Sequence, residues 1–462
     1  MIDGLKPYPE YKDSGSRWLA KVPLHWGVHN LRTLIRSRNE RNRADLPLLS
    51  VAREKGVFVR SLTDASENHN VIPEDLSNYK VARTGNLVIN KMKAWQGSMG
   101  IAPCDGIVSP AYYVYDLAIA NRTFGQALLR SKPYVAHFGQ ASDGVRVGQW
   151  DLSISGMRQI PVLVPPPKEQ AAIVRYLDHA LLRLDKAIRA KRKIISLLRE
   201  QKQAIIHRAV TRGLDSDVKL KDSGIPWLGQ IPAHWEILRG KYLGRLFSTP
   251  SVLDSELTEV GDGNLMYLKV SDLAVADESF KLTRSRMYVK RSAARSENRR
   301  PLLVFPKRGG AIYTNRVAII ESTCLLDPNL MGWEINARFD PHYVALLLKT
   351  RTLADLADVS SVPQINNHHI NPTRFPAPPV KEQRAIVVDL RMNLIGVHAA
   401  ISRIEREIEL LREYRTRLIA DVVTGKLDVR AAAARLPDEA SAAEPELAEL
   451  EESGEELAEE NI

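Results

Sequence analysis

Lys12-Asp13-Ser14-Gly15, followed by Trp18-Leu19, Pro23 and His25-Trp26, returns as Lys221-Asp222-Ser223-Gly224, Trp227-Leu228, Pro232 and His234-Trp235, each displaced by 209 residues. Pro166-Pro167-Lys168-Glu169-Gln170 returns as Pro379-Val380-Lys381-Glu382-Gln383, and Thr211-Arg212-Gly213-Leu214-Asp215 as Thr424-Gly425-Lys426-Leu427-Asp428, both displaced by 213. The repeating unit is therefore a whole domain plus a helix. Solenoid and propeller repeats run to tens of residues, so this period implies two folding units in tandem.

The length of 462 residues leaves room for two such units, each with its own core. Cys104 and Cys324 fall one in each half, without partners at metal-ligand spacing, and read as small core residues in a reducing compartment. The segment Met1 to Lys6 has no charged-then-apolar leader, and no apolar run approaches the roughly 18 residues of a membrane helix. The expected location is the cytoplasm, with no membrane partner.

The net charge of +10 understates how basic the body is. Residues 437–462 hold eleven Asp or Glu and no Lys or Arg, which leaves +21 on residues 1–436. A body that basic points to a polyanion, of which nucleic acid is the commonest. The Ala/Glu tail, with Glu444, Glu446, Glu449, Glu451 and Glu452, reads as disordered or as a solvated helix.

Two long helices are implied by seven-residue periodicity. Val174, Leu181, Ile188, Ile195 and Ala209 form one series, and Leu177, Leu184, Leu198 and Ile205 a second. The copy gives Val387, Leu394, Ile401, Ile408 and Val422 beside Leu390, Val397, Ile404, Leu411 and Leu418. Such a seam is that of a coiled coil. Prolines 165–167 and 378–379 precede the helices, Glu169 and Glu382 suit their positive ends, and Gly213 and Gly425 mark the exits. A helix of that length spans about 66 Å. Connectivity favours two helices packed antiparallel, with a globular domain at each end and a pseudo-two-fold relation. Lys191, Lys202 and Arg415 interrupt the seams, either admitting a partner or solvent or forming a register-setting polar layer.

Between the helices the chain reads as mixed α/β. Asn86 to Ile89, Tyr112 to Tyr115, Leu302 to Phe305 and Val317 to Ile320 have strand character, and Pro341 to Lys349 helical character. The expected fold is a tandem α/β (α+β) arrangement: a domain over 1–167, a helix over 168–212, a domain over 213–380, a helix over 381–428, and an acidic tail over 429–462.

The ordered, duplicated set of Trp-Leu…Pro-x-His-Trp starts, Lys-Glu-Gln helix beginnings and Thr…Leu-Asp exits resembles the specificity subunit of type I restriction–modification systems. It departs from a strict copy at Val380, where Pro167 stands in the first unit. The resemblance implies two target-recognition domains alternating with two helical regions. It implies a non-catalytic subunit, each domain reading one half of a bipartite, asymmetric site on double-stranded DNA. The helices would dock two methyltransferase subunits and, through them, restriction subunits. It further implies that no cofactor is held here, S-adenosylmethionine, ATP and Mg being expected on the partners.

Base and phosphate contacts need donors able to reach groove edges. In the first domain Lys91, Lys93, Trp95 and Gln96 follow a strand, and Arg146, Gln149 and Trp150 lie in a Gly-rich loop. The second offers Lys307, Arg308, Tyr313, Asn315 and Arg316, then Gln364, Asn366, Asn367 and His368. Each can equally be solvated surface or a turn. Trp18, Trp26, Trp227 and Trp235 are expected to pack each domain on its helix. No Asn/Asp-Pro-Pro-aromatic tetrapeptide, Gly-rich cofactor fingerprint or Walker A sequence is present, Gly425-Lys426 being followed by Leu427. Two other readings stay open: a coiled-coil adaptor that binds only proteins, and an autonomous DNA-modifying enzyme.

Overall fold

The computed structural model describes residues 5–61, 75–144, 150–249, 251–259, 261, 265–276, 279–290, 301–358 and 361–437. The chain forms two compact units, residues 1–190 with 406–462, and residues 191–405. Two long helices, Pro167–Arg212 and Val380–Val423, each contribute to both units. The fold is thus two mixed α/β domains joined by long helices, as the sequence implies.

The duplication extends to strand order. The first unit has a four-stranded antiparallel sheet in the order Ile35–Arg38, Tyr112–Leu117, Leu87–Asn90, Met99–Ile101. In the second, Gly244–Phe247, Leu330–Ile335, Leu302–Pro306 and Ala318–Ile320 stand in the same order and sense. Each unit adds a hairpin at its start, Tyr11–Asp13 with Lys21–Pro23 and Leu220–Asp222 with Gln230–Pro232. Each also has a ribbon that delivers the chain into a long helix, Gly27–Asn30 with Pro161–Val164 and Glu236–Arg239 with Arg374–Ala377.

The interiors differ. The first unit packs two helices, Arg122–Leu129 and Lys132–Gln140, where the second has one, Pro341–Arg351. The second adds a sheet ordered Leu257–Thr258, Met287–Val289, Leu265–Leu268, Cys324–Leu326, its last pair parallel. Cys324 is buried there and its thiol is pushed up to about 12 by burial, consistent with a packing role; Cys104 is half-buried.

The helical seam is visible inside each unit. In the first, Ile173 and Leu177 share a core with Leu418 and Val422, and Asp185 pairs with Arg415 at 2.9 Å, so residue numbers run in opposite senses. In the second, Ala209 and Val210 meet Ile386, Val387, Leu390 and Leu394, while Arg199 pairs with Glu405 at 3.1 Å. Of the seam interruptions, Arg415 is thus an inter-helical ion pair of the register-setting kind.

Three expectations are corrected. The second long helix ends at Val423, five residues before Asp428. The stretch from 429 is not all tail: Arg430–Ala434 is helical, with Val429 and Ala433 buried in the first unit, and the tail beyond residue 437 lies outside the described residues. An apolar stretch of membrane-spanning length does occur, since Val380–Val423 contains an 18-residue window of mean hydropathy 1.4 with no more than two charged residues. The heptad explains it, because apolar side chains that serve the seam and core add to further ones on the opposite face.

Both helix exits use a left-handed glycine, Gly213 at φ +74° and Gly425 at φ +77°. A Cβ on Gly425 would lie 2.5 Å from Pro23 and 3.1 Å from the Trp26 ring. On Gly213 it would lie 3.1 Å from the Glu382 carboxylate and 3.3 Å from Trp235. Each glycine therefore carries both a backbone and a packing penalty on substitution, and the backbone part alone is about 1–2 kcal/mol. Gly425→Ala is expected to lower the melting temperature more than Gly213→Ala, because the proline ring cannot swing away as a carboxylate can. Calorimetry of the two variants measures the difference.

Candidate nucleic-acid interface

Each domain is fixed to the first turn of a long helix by a glutamate. Glu169 is 5% exposed and accepts from Tyr8 Oη at 2.6 Å, Trp26 Nε1 at 3.0 Å and His25 Nε2 at 2.7 Å. Glu382 accepts from Trp235 Nε1 at 3.0 Å and His234 Nε2 at 2.9 Å. Burial and the neighbouring carboxylate push the Tyr8 phenol well above its ordinary value, so it stays a donor. The next residue completes the joint. Gln170 Oε1 accepts from Asn121 N and its amide donates to Pro165 O; Gln383 does the same with Asp340 N and Pro378 O.

Trp26 and Trp235 are thus buried anchors, as expected of them. Trp18 stacks on His137, with ring centroids 3.8 Å apart, and meets Tyr134 edge-on. Trp227 lies edge-on to Phe375 with the Arg351 guanidinium 5.8 Å from its ring. Trp18 therefore packs on the helix Lys132–Gln140 of its own domain, while Trp227 also borders His207, Arg208 and Arg212 of the first long helix, as expected of it.

Above each joint, the two candidate stretches of each domain meet at one corner. In the first unit Leu152 N donates to Lys91 O, just past the central strand, and Ser153 caps the helix Ile154–Arg158. In the second Ile365 N donates to Lys307 O, and Asn366 caps Asn367–Ile370. Leu152 and Ile365 are separated by the repeat distance of 213, as are Ser153 and Asn366. Lys91 and Lys307 therefore occupy one structural position.

After each lysine comes a short 3-10 turn, Ala94–Gln96 or Gly310–Thr314, ended by a left-handed residue, Gly97 or Asn315. This pairs Trp95 with Tyr313. Trp95 is half-buried, its ring centroid 5.1 Å from that of Trp150, and its indole donates to Met92 O. Tyr313 is 66% exposed.

The corners differ in charge. Lys91 pairs with Asp151 at 2.8 Å, which raises its pKa. Lys80 lies alongside: its Nζ donates to Tyr112 O at 2.7 Å and stands 6.0 Å over the Tyr113 ring. Burial and the proximity of Arg41 and Lys91 lower the Lys80 pKa. In the second unit Lys307 is lowered by burial and by the adjacent Arg308, whose Nη2 reaches Gln364 Oε1 at 3.5 Å. Ammonium groups whose pKa is lowered by burial and by neighbouring cations, as for Lys80 and Lys307, gain from an approaching anion.

The other candidates divide. Lys93, Asn367 and His368 are exposed and Gln96 is half-buried at these corners. Asn366 Oδ1 is occupied by its capping bond from His368 N, and Asn315 is a structural tie, its side chain bridging Lys349 O and Leu353 N. Arg316 lines a cavity of the second unit. Arg146 and Gln149 lie outside the described residues. Lys80, Arg41 and Tyr113 were missed: the pairing of Tyr112–Leu117 with Leu87–Asn90 sets Tyr113 beside Lys91, and Lys80 joins them through its bond to Tyr112 O with Arg41 close by.

No protein-family model matches the sequence. A chain of the structure described as the structural basis underlying complex assembly and conformational transition of the type I R-M system matches 87% of this chain over 98% of its own length, with a TM-score of 0.66 and 16% identity. This chain shares that fold. Structures of the HsdS subunit from Thermoanaerobacter tengcongensis (15% identity, 88% of this chain and 98% of that one, TM-score 0.48) and of the type I restriction-modification S subunit from M. genitalium (11%, 86% and 96%, 0.33) are also similar. All three are described as belonging to type I restriction–modification systems, the last two as S subunits.

Proposed function

We propose that the chain is the DNA-reading specificity subunit of a type I restriction–modification complex, without catalytic groups of its own. The observation that carries this is the recurring corner: one backbone position in two domains, furnished with different cations, amides and aromatics. Equal placement with unequal side chains suits two readers of one duplex whose half-sites differ. The basic body supplies the sequence-independent part of the affinity. Co-expression with the methyltransferase subunit from the same source, followed by genome-wide mapping of methylated adenines, tests the reading. A split, asymmetric motif with one modified adenine in each half is the expected result. Absence of new methylation with a folded, bound partner contradicts it.

The long helices supply the protein partners' surface. Val388, Met392 and Ile395, at i, i+4 and i+7 on the second long helix, are 59%, 67% and 58% exposed and form an apolar stripe in the second unit. A partner's amphipathic helix fits it, and the methyltransferase subunit is the assigned occupant. Met392→Asp is expected to weaken that association at least tenfold in a pull-down titration while leaving DNA binding by the isolated chain unchanged. Equal loss of both contradicts the assignment.

A further inference from the structure

The second unit holds a cavity of about 520 Å³ against the two long helices, with Phe280, Leu346, Leu390 and Leu394 among its apolar walls. Four cations line it as well: Arg391 on the second long helix, and Lys202, Arg316 and Lys349. The Lys349 pKa is lowered by burial and by the proximity of Lys202 and Arg316, so the three charges stand close in a low-dielectric setting.

The backbone around this cavity is strained. Five non-glycine residues have positive φ among the described residues, and two border it: Phe280 at +64°, itself in the wall, and Asn315 at +49°, next to Arg316. For a bulky aromatic this conformation is an outlier that the surroundings must enforce, and such strain collects at binding sites. Ile319 N holds Phe280 by donating to its carbonyl at 2.6 Å. The Asn315 amide donates to Lys349 O at 3.0 Å while its carbonyl accepts from Leu353 N, which fixes the segments bearing Arg316 and Lys349 relative to each other.

We propose that this cavity binds a small amphipathic anion, with an aromatic or apolar body against Phe280, Leu390 and Leu394 and a carboxylate, sulfonate or phosphate head against Lys349 and Arg316. Polar groups converging on one side of an apolar concavity are the usual form of a small-molecule site. Burial of the body provides affinity, and the cations select the anion over a neutral relative.

Fluorescence titration of the full-length chain with 8-anilinonaphthalene-1-sulfonate tests this. One saturable site is expected, with Lys349→Met and Arg316→Gln each weakening binding about tenfold. Leu390→Trp fills the cavity and is expected to abolish binding. Uncharged N-phenyl-1-naphthylamine is expected to bind at least tenfold more weakly. Met392→Gln, at an exposed position that does not line the cavity, should leave the titration unchanged. Equal affinity for the neutral dye, or binding that survives Lys349→Met and Leu390→Trp in variants with unaltered circular dichroism, overturns the proposal.

Discussion

Glu169→Ala is expected to lower the melting temperature of the first unit by roughly 10 °C, and Glu382→Ala that of the second by about half as much. Removing the Glu169 carboxylate strands the Trp26 indole N–H and the Tyr8 hydroxyl, both buried, and also releases His25. A buried donor left without its acceptor costs about 1–3 kcal/mol. Two of them amount to several kcal/mol, and each kcal/mol corresponds to roughly 2–4 °C in a domain of this size. Glu382 is less critical, because its side chain is 28% exposed, its second donor His234 is 48% exposed, and water replaces part of what is lost. Glu169→Gln retains an acceptor oxygen and should fall between wild type and the alanine variant. Differential scanning calorimetry decides; a Glu169→Ala shift no larger than that of Glu382→Ala contradicts the account of the joint.

The joint was half legible in the sequence. His25-Trp26 and Lys168-Glu169-Gln170 recur together in both halves, and that joint recurrence is the signal that they touch. Periodicity and dipole reasoning explained Glu169 only as a favourable helix-start residue. Tyr8 was invisible, because the position 209 residues further on is Asp217 and the duplication carries no mark of it. The long helices were readable to within a residue at their starts, since a heptad over so many turns has no competing interpretation.

The corner was legible as a set of residues and illegible as a place. Lys91 and Lys307 are separated by 216 residues and Trp95 and Tyr313 by 218, so loops of unequal length break the repeat where the function is expected. Equivalence rests on backbone pairing, Leu152 to Lys91 and Ile365 to Lys307, which side-chain identity does not encode. Asn315 looked like a base-reading amide because its residue type suits adenine, yet a left-handed turn needs the same residue type.

The largest functional effect is expected from Lys307→Ala combined with Arg308→Ala. Lys307 is lowered in pKa by burial first and then by Arg308, so on the proposed function a phosphate at this corner would stabilise both charges, and the pair is expected to contribute more to binding than two isolated surface cations. Loss of two phosphate contacts should reduce the slope of log affinity against log salt by about 1.8, at about 0.9 per contact. If one of the pair instead reads a base, about 1–3 kcal/mol of discrimination disappears at that position. Either way, mapped methylation should relax in one half of the motif and stay strict in the other, because the corner of the first unit is untouched. Lys91→Ala is expected to act on the opposite half and more weakly, since Asp151 already pairs with that ammonium. Loss of stringency in both halves from the Lys307/Arg308 variant, or an unchanged salt slope with unchanged methylation, would place DNA reading elsewhere in these domains.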